Sequence, residues 1–433
     1  MTAAAGPHGA TRTRALIVVP ILTTSYGGNT DAQRRREEAA GLAEAIDLDV
    51  RRIDEARLTS VRPATLFGTG KTDEIKSTVA AKAVEVAIVD HSLTPVQQRN
   101  LELAWHCKVL DRTALILEIF GARARTYEGR LQVELAALKY QRSRLVRSWT
   151  HLERQRGGYG FIGGPGESQL EIDRRLTDQR ISKLQGEIEN IRKTRTLQRS
   201  SRQRSALPTV ALVGYTNAGK STLFNRLTES SVVAKDMLFA TLDPIMRRMV
   251  LPSGQEVVLC DTVGFISDLP TELVASFRAT LEEIVEADLV LHIQDASSDE
   301  ALEHRHTVEA IVQSIADKRP IRIIDVFNKI DLAGDDWCGY QSEHSRNGAI
   351  FVSAVTGDGI DALFEVLDRK FVALRQVVVY SIPSKDGAAL AWLYKNGDVI
   401  STEPQDMSNI VKVALQVPDV GRFARRFSLE PLQ

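Results

Sequence analysis

The sequence predicts a multidomain α/β protein: a mostly parallel sheet flanked by helices, preceded by a small α/β domain and a long antiparallel helical hairpin, and followed by a small C-terminal α/β domain. Three observations predict it. The 433 residues are about three times a ~150-residue domain and should hold about two to four domains. Short β-rich runs alternate with helical patterns on both sides of residues 121–206. Within that stretch, apolar residues fall at helical spacing on either side of a glycine-rich tip. Hydrophobic residues at 43% and charged residues at 26% exclude wholesale disorder.

From Arg14 to about Phe120, the runs Leu16–Val19, Glu85–Asp90 and Lys108–Leu110 alternate with helical patterns over Ala32–Ala45 and Pro95–Ala104, which predicts an N-terminal α/β domain over 1–120. The longest strongly apolar run, Ala15–Leu22, is far short of the roughly 20 residues of a spanning helix, so no membrane insertion is expected. It lacks a small-residue cleavage site and reads as a buried strand; with no acid and only two arginines in residues 1–30, a transit peptide is the lesser reading. The three cysteines, Cys107, Cys260 and Cys338, are too far apart for a zinc motif, and their odd number suits a reducing compartment. A cytoplasmic location is expected.

Residues 121–206 form the predicted hairpin. Leu131, Leu135, Leu138 and Leu145 mark one helix and Ile181, Leu184, Ile188 and Ile191 the other. Between them, Gly157–Gly166 holds six glycines in ten residues, with Tyr159, Phe161 and Ile162 interleaved. Net charge is −1 overall, yet this segment carries 19 Lys or Arg against 9 Asp or Glu. Such an arm suits RNA, with Arg154 and Arg156 meeting phosphates and Tyr159 and Phe161 stacking on unpaired bases. The alternative is a solvated hairpin packed on the chain's own nucleotide domain. Beyond the polar linker Ser200–Pro208, strand patterns at Thr209–Val213, Glu256–Cys260, Leu289–Ile293, Ile321–Phe327 and Ile350–Val352 alternate with helices and predict a domain over 207–373. A small domain is expected over 374–433.

Gly214-Tyr215-Thr216-Asn217-Ala218-Gly219-Lys220-Ser221 matches G-x-x-x-x-G-K-S between a predicted strand and the helical run that starts at Thr222. The glycines let backbone amides face phosphates at a helix N-terminus, Lys220 reaches the β- and γ-phosphates, and the Ser221 hydroxyl suits Mg²⁺. Asp261-Thr262-Val263-Gly264 ends a strand, so Asp261 can hold the metal through water and the Gly264 amide can meet the γ-phosphate. Asn328-Lys329-Ile330-Asp331 ends another strand. The Asp331 carboxylate can accept from guanine N1 and N2, where adenine has no matching donors, while Asn328 fixes the loop and the Lys329 stem covers the base. Ser353-Ala354 follows the next strand and offers the Ala354 amide to guanine O6. The four motifs together predict a P-loop GTPase domain that binds GTP and GDP.

This series resembles the translation-factor-class GTPases. Gly-Pro-Gly-Glu-Ser-Gln-Leu-Glu at 164–171, Asp173-Arg174-Arg175, Phe239-Ala240-Thr241-Leu242-Asp243-Pro244 and Pro95-Val96-Gln97-Gln98-Arg99-Asn100-Leu101-Glu102 resemble the HflX family of ribosome-associated GTPases, over about residue 15 to the end. The resemblance implies a large-subunit partner, a hairpin tip at Gly157–Gly166 that reaches the peptidyl-transferase region, and GTP-dependent splitting of stalled or hibernating ribosomes. It implies that Thr241 is the switch threonine closing on Mg²⁺ and the γ-phosphate, although Ile245 and Met246 replace the two threonines the family usually carries there. In resembling GTPases an asparagine at the place of Asn217 helps to bind K⁺; the other reading is a loop asparagine bonding its own backbone. A monomer with no DNA partner is expected.

Where Ras-type enzymes place a water-orienting glutamine, this chain has Phe265, so Lys220, Thr241 and Gly264 are left as the catalytic set and the predicted intrinsic rate is slow until a partner or cation raises it. A rival reading is a nucleotide-gated RNA-binding protein or remodeller; a stand-alone metabolic GTPase fits least, because no acid-base constellation marks the N-terminal region. Gly68-Thr69-Gly70-Lys71 reads as a turn and His304-x-His306 as a surface pair.

Overall fold

The computed structural model describes residues 12–22, 29–155, 169–204, 207–230, 238–239, 244–267, 278–298, 300–316, 320–334, 348–372, 375–405 and 407–432. Its first sheet contains β1 (Arg14–Leu22), β2 (Asp49–Leu58), β3 (Val86–Val89) and β4 (Lys108–Asp111), all parallel in the order β2-β1-β3-β4. Residues Ala15 to Val19 are fully buried because β1 is central and covered on both faces, which is why its sequence is apolar without alternation. Strand β2 escapes a reading by apolar runs: its sequence DVRRIDEARL lies on the sheet edge, where charged side chains face water.

Helices α1 (Asn29–Glu44), α2 (Thr69–Ala81), α3 (Pro95–Trp105) and α4 (Arg112–Arg123) cover this sheet. The Gly68–Lys71 stretch is the start of α2, with Gly68 as its N-cap, and not an isolated turn. The Pro95-Val96-Gln97-Gln98 motif has a structural purpose of its own. Thr94 Oγ1 accepts from the Gln97 amide at 3.2 Å while Gln97 Oε1 accepts from the Thr94 amide at 2.9 Å, a reciprocal cap with proline in the first turn.

Two long helices follow, α5 (Tyr127–Gln155) and α6 (Gln169–Arg204). Tyr127 bonds Glu187, Glu134 pairs with Arg180 and Arg142 pairs with Asp178, so residue numbers fall along one helix as they rise along the other. The helices are antiparallel, and Leu131, Leu135, Ile181 and Leu184 are buried between them. The base of α5 is fastened to the first sheet by Tyr140, which donates to Asp111 at 2.8 Å, and by Arg144, 3.1 Å from the same carboxylate.

The second sheet has the order β10-β9-β8-β5-β7-β6. Its strands are β5 (Thr209–Gly214), β6 (Ile245–Val250), β7 (Glu256–Asp261), β8 (Leu289–Asp295), β9 (Ile323–Asn328) and β10 (Ile350–Phe351). All are parallel except β6. Ile245 and Met246 open β6 and pair with Asp261 and Cys260, so the two residues that depart from the family pattern are the first rungs of an edge strand. The flanking helices are α7 (Lys220–Thr228), α8 (Arg278–Val285), α9 (Ala301–Ala316) and α10 (Ile360–Val372). Parallel pairing carries Gly214, Asp261, Asp295 and Asn328 to one edge of the sheet, the edge where such folds bind ligands.

The chain closes with β11 (Arg375–Pro383), α11 (Gly387–Asn396), β12 (Asp398–Gln405), β13 (Ser408–Gln416) and α12 (Val417–Phe427), an antiparallel sheet of order β11-β13-β12. Tyr380, Leu393, Val411, Val413 and Phe423 form its core, with the Tyr380 and Phe423 rings 4.4 Å apart. Among the described residues, no helix is long and apolar enough to cross a membrane.

Candidate nucleotide-binding site

Strand β5 delivers the chain into the loop Gly214–Gly219 and then into α7. Two glycines are required by close approach: a Cβ at Gly214 would lie 2.2 Å from the Ile293 carbonyl oxygen, and one at Gly219, whose φ is +88°, would lie 2.1 Å from Asn328 Nδ2. Asn217 is exposed at the crest with φ 61°, a backbone conformation that asparagine tolerates.

Lys220 is buried, and its Nζ donates to the Gly214 carbonyl at 3.1 Å and the Tyr215 carbonyl at 2.7 Å. Burial pushes its pKa down to about 8, opposed by the Asp261 charge. A buried ammonium hydrogen-bonded to neutral carbonyls is a ready partner for phosphate. Ser221 Oγ donates to Asp261 Oδ2 at 2.7 Å, with Thr222 beside it in the first turn of α7. A hydroxyl and a buried carboxylate this close form an oxygen donor set that fits Mg²⁺.

Gly264 packs against the loop: a Cβ there would be 2.9 Å from Thr216 Cγ2 and 3.1 Å from Lys220 Nζ. The backbone is zipped alongside, with the Thr216 amide donating to the Phe265 carbonyl at 2.7 Å and the Phe265 amide to the Gly214 carbonyl at 3.1 Å. The Phe265 ring is buried with Leu281, Ile284 and Val290. It serves the core beneath α8.

At the other end, Asn328 Nδ2 donates to the Ala218 carbonyl and its Oδ1 accepts from the Ala354 amide, both at 2.9 Å. The amide that the sequence assigns to guanine O6 is therefore engaged by Asn328 in this structure. Ser353 is buried and its Oγ accepts from the Thr356 amide at 3.1 Å, closing the loop on itself. Lys329 has φ 65°, and Asp331 is exposed in the short 3₁₀ turn Ile330–Leu332. Thus Gly214 to Thr222, Asp261, Gly264, Asn328, Lys329, Asp331, Ser353 and Ala354 line one sheet edge. Thr241, Arg156, Tyr159 and Phe161 lie outside the described residues, as does the side chain of Arg154 near the end of α5.

The sequence gives no sign of what borders this site. Tyr215, Phe239, Val263 and Ile266 share a core with Leu42, Ile116, Ile119 and Phe120 of the first domain, and Phe120 meets Phe239 edge-on at 4.7 Å. Tyr215 Oη donates to Glu38 Oε2 at 2.5 Å, and Glu38 also accepts from Arg112, which pairs with Asp90 at 2.6 Å and donates to the Ser267 carbonyl at 2.9 Å. Burial works against the Arg112 charge, and Asp90 and Glu38 outweigh it, so its pKa is raised. His304 is not a surface residue: its ring stacks on Tyr215 at 3.7 Å, and burial pushes its pKa down to about 4. Of that pair only His306 is exposed, and no cluster of metal-binding side chains occurs among the described residues.

A phosphate loop built around a buried lysine, with a magnesium-type donor pair and an Asn-Lys-x-Asp strand end on one sheet edge, defines a P-loop GTPase. Four family models tile the chain: GTP-binding GTPase N-terminal over residues 33–121, GTP-binding GTPase middle region over 123–202, 50S ribosome-binding GTPase over 209–329 and HflX C-terminal domain over 340–431. A GTPase HflX of Magnetococcus marinus is 48% identical over 90% of both chains, and that of Escherichia coli is 43% identical over 88% of both. A solved SsGBP–GDP complex shares the fold, with a TM-score of 0.50 and 24% identity over 83% of this chain and 98% of that one. The chain belongs to the HflX family of GTPases, and it hydrolyses GTP.

Proposed function

We propose that this GTPase binds the large ribosomal subunit through its N-terminal region and basic hairpin, and that GTP drives dissociation or rescue of stalled or hibernating ribosomes. One observation carries the reading. The domain that anchors the hairpin shares a core with Tyr215, Phe239, Val263 and Ile266, so a load on the arm is felt at the phosphate loop and at the Asp261–Gly264 segment. The ribosome-binding family model and the HflX relatives support the same partner. On this reading the chain divides into 1–120, 121–206, 207–373 and 374–433 and works as a cytoplasmic monomer without DNA.

Amides of Gly214–Thr222 and the Lys220 ammonium hold the phosphates. Ser221, Thr241 and, through water, Asp261 would hold Mg²⁺, which when bound neutralises charge on the β- and γ-phosphate oxygens. The Gly264 amide meets the γ-phosphate. Asp331 and the Lys329 stem contact guanine, and Asn328, Ser353 and Ala354 hold the loops that frame it. Phe265 is buried and cannot orient water, so the ribosome supplies the missing acceleration, with K⁺ at Asn217 as a second contributor. Arg154, Arg156, Tyr159 and Phe161 would touch ribosomal RNA.

The test is steady-state GTP and ATP hydrolysis with and without purified large subunits, at two salt concentrations. Stimulation that is GTP-specific and salt-sensitive is expected. Equal stimulation by free structured RNA overturns the ribosome reading in favour of an RNA remodeller, and equal rates in K⁺ and Na⁺ remove K⁺.

A further inference from the structure

We propose that Asp295, at the C-terminal end of β8, is a positioning residue for guanine recognition that acts through Lys329. Lys329 Nζ lies 2.7 Å from Asp295 Oδ2, and both side chains are about four-fifths buried, at 22% and 19% exposure. The carboxylate is itself fixed, because its other oxygen accepts from the Ser297 amide at 3.0 Å and the Ser297 hydroxyl at 2.6 Å. The backbones are tied as well: the Ala296 amide donates to the Asn328 carbonyl at 2.8 Å, which sets the residue after Asp295 against the residue before Lys329.

The lysine is thus held at both ends. Its backbone sits at φ 65°, in the left-handed region, and its ammonium is tethered. A free lysine stem samples many rotamers and loses them when a base arrives; this one is already tethered at its ammonium, so much of that loss falls before binding. Asp331, one turn of chain further on, reads the edge of the base, while the pre-set stem presents an apolar surface to its face. Asp295 belongs to none of the four nucleotide motifs. The inference rests on the proposed placement of the base at Asn328–Asp331.

The experiment measures dissociation of a fluorescent GDP analogue, together with kcat and KM for GTP and for ITP, in the full-length wild type, Asp295→Asn, Lys329→Met and the double variant. Asp295→Asn should speed dissociation and raise KM by about tenfold, the scale of one charge-assisted contact, with kcat within about twofold of wild type. Lys329→Met should likewise speed dissociation and raise KM, and the double variant should be no worse than the worse single in either readout. ITP, which lacks the 2-amino group, should weaken by the same factor as GTP. A wild-type rate in Asp295→Asn, or independent effects in the double variant, overturns the proposal. So does loss of GTP binding with ITP spared, since Asp295 would then act on Asp331. Lys329→Met leaves Asp295 intact, and a wild-type rate there overturns it equally if Asp295→Asn fails to fold. The base placement is checked separately: Asp331→Asn should shift preference from GTP to XTP, and an unchanged preference defeats that reading.

Discussion

Tyr215 and Ser267 are joined twice: the tyrosine oxygen accepts from the Ser267 amide at 2.9 Å and from its hydroxyl at 2.7 Å, which leaves the phenolic proton for Glu38. The hydroxyl therefore uses its one donor and both acceptors. It joins the phosphate loop, the segment after Gly264 and the first domain at a single atom.

Tyr215→Phe should remove that junction while keeping the ring on His304. The part-buried Ser267 amide and Glu38 carboxylate each lose a partner, so the nucleotide-free protein should lose about 1–2 kcal/mol of stability. Thermal unfolding of wild type and variant checks this; an unchanged midpoint would show that water replaces the hydroxyl at no cost.

Gly264→Ala places a methyl 2.9 Å from Thr216 Cγ2 and 3.1 Å from Lys220 Nζ. GTP hydrolysis should fall by about 10²-fold as the amide is displaced from the γ-phosphate, the scale of losing one transition-state donor. GDP affinity, which does not use that amide, should stay within a few-fold. Single-turnover hydrolysis and GDP titration separate the two.

Lys220 carries a pKa of about 8 when no phosphate is bound. Phosphate favours the charged form, so binding takes up a proton wherever the free lysine is deprotonated. GDP affinity should be nearly flat below about pH 7 and about fourfold weaker at pH 8.5 than at pH 7. Calorimetry at pH 8.5 in buffers of different ionisation enthalpy should show proton uptake, and its absence would mean that the lysine stays charged.

His304 is held neutral, with a pKa near 4 against 6.5 in an open chain. Between those values the unfolded state binds more protons than the folded one. Stability should therefore be complete above about pH 6.5 and decline as pH falls toward 4. His304→Gln should flatten that decline in the difference between the variant and wild-type melting profiles; parallel profiles would assign the loss to other groups.

The nucleotide site was legible in the sequence because each motif is local: Gly214–Ser221, Asp261–Gly264 and Asn328–Asp331 are short runs at strand ends, and parallel pairing alone assembles them. Its border with the first domain was not. Glu38, Arg112 and Ser267 are far apart in the chain and belong to no spacing pattern, and a histidine in a polar stretch gives no hint that a tyrosine will cover it. Strand β2 was missed because edge strands carry charge, and β6 because Arg247 and Arg248 interrupt its apolar residues. The hairpin was readable because its two stripes of leucine and isoleucine pack against each other.

The edge-on contact between Phe120 and Phe239 binds residues from two separately matched regions of the chain into one packing unit. Exchanging N-terminal halves between relatives would pass the nucleotide motifs intact and still place a foreign side chain against Phe239. Chimaeras should therefore be sorted by whether both members of that aromatic pair come from the same parent, and evolution should change the two positions together.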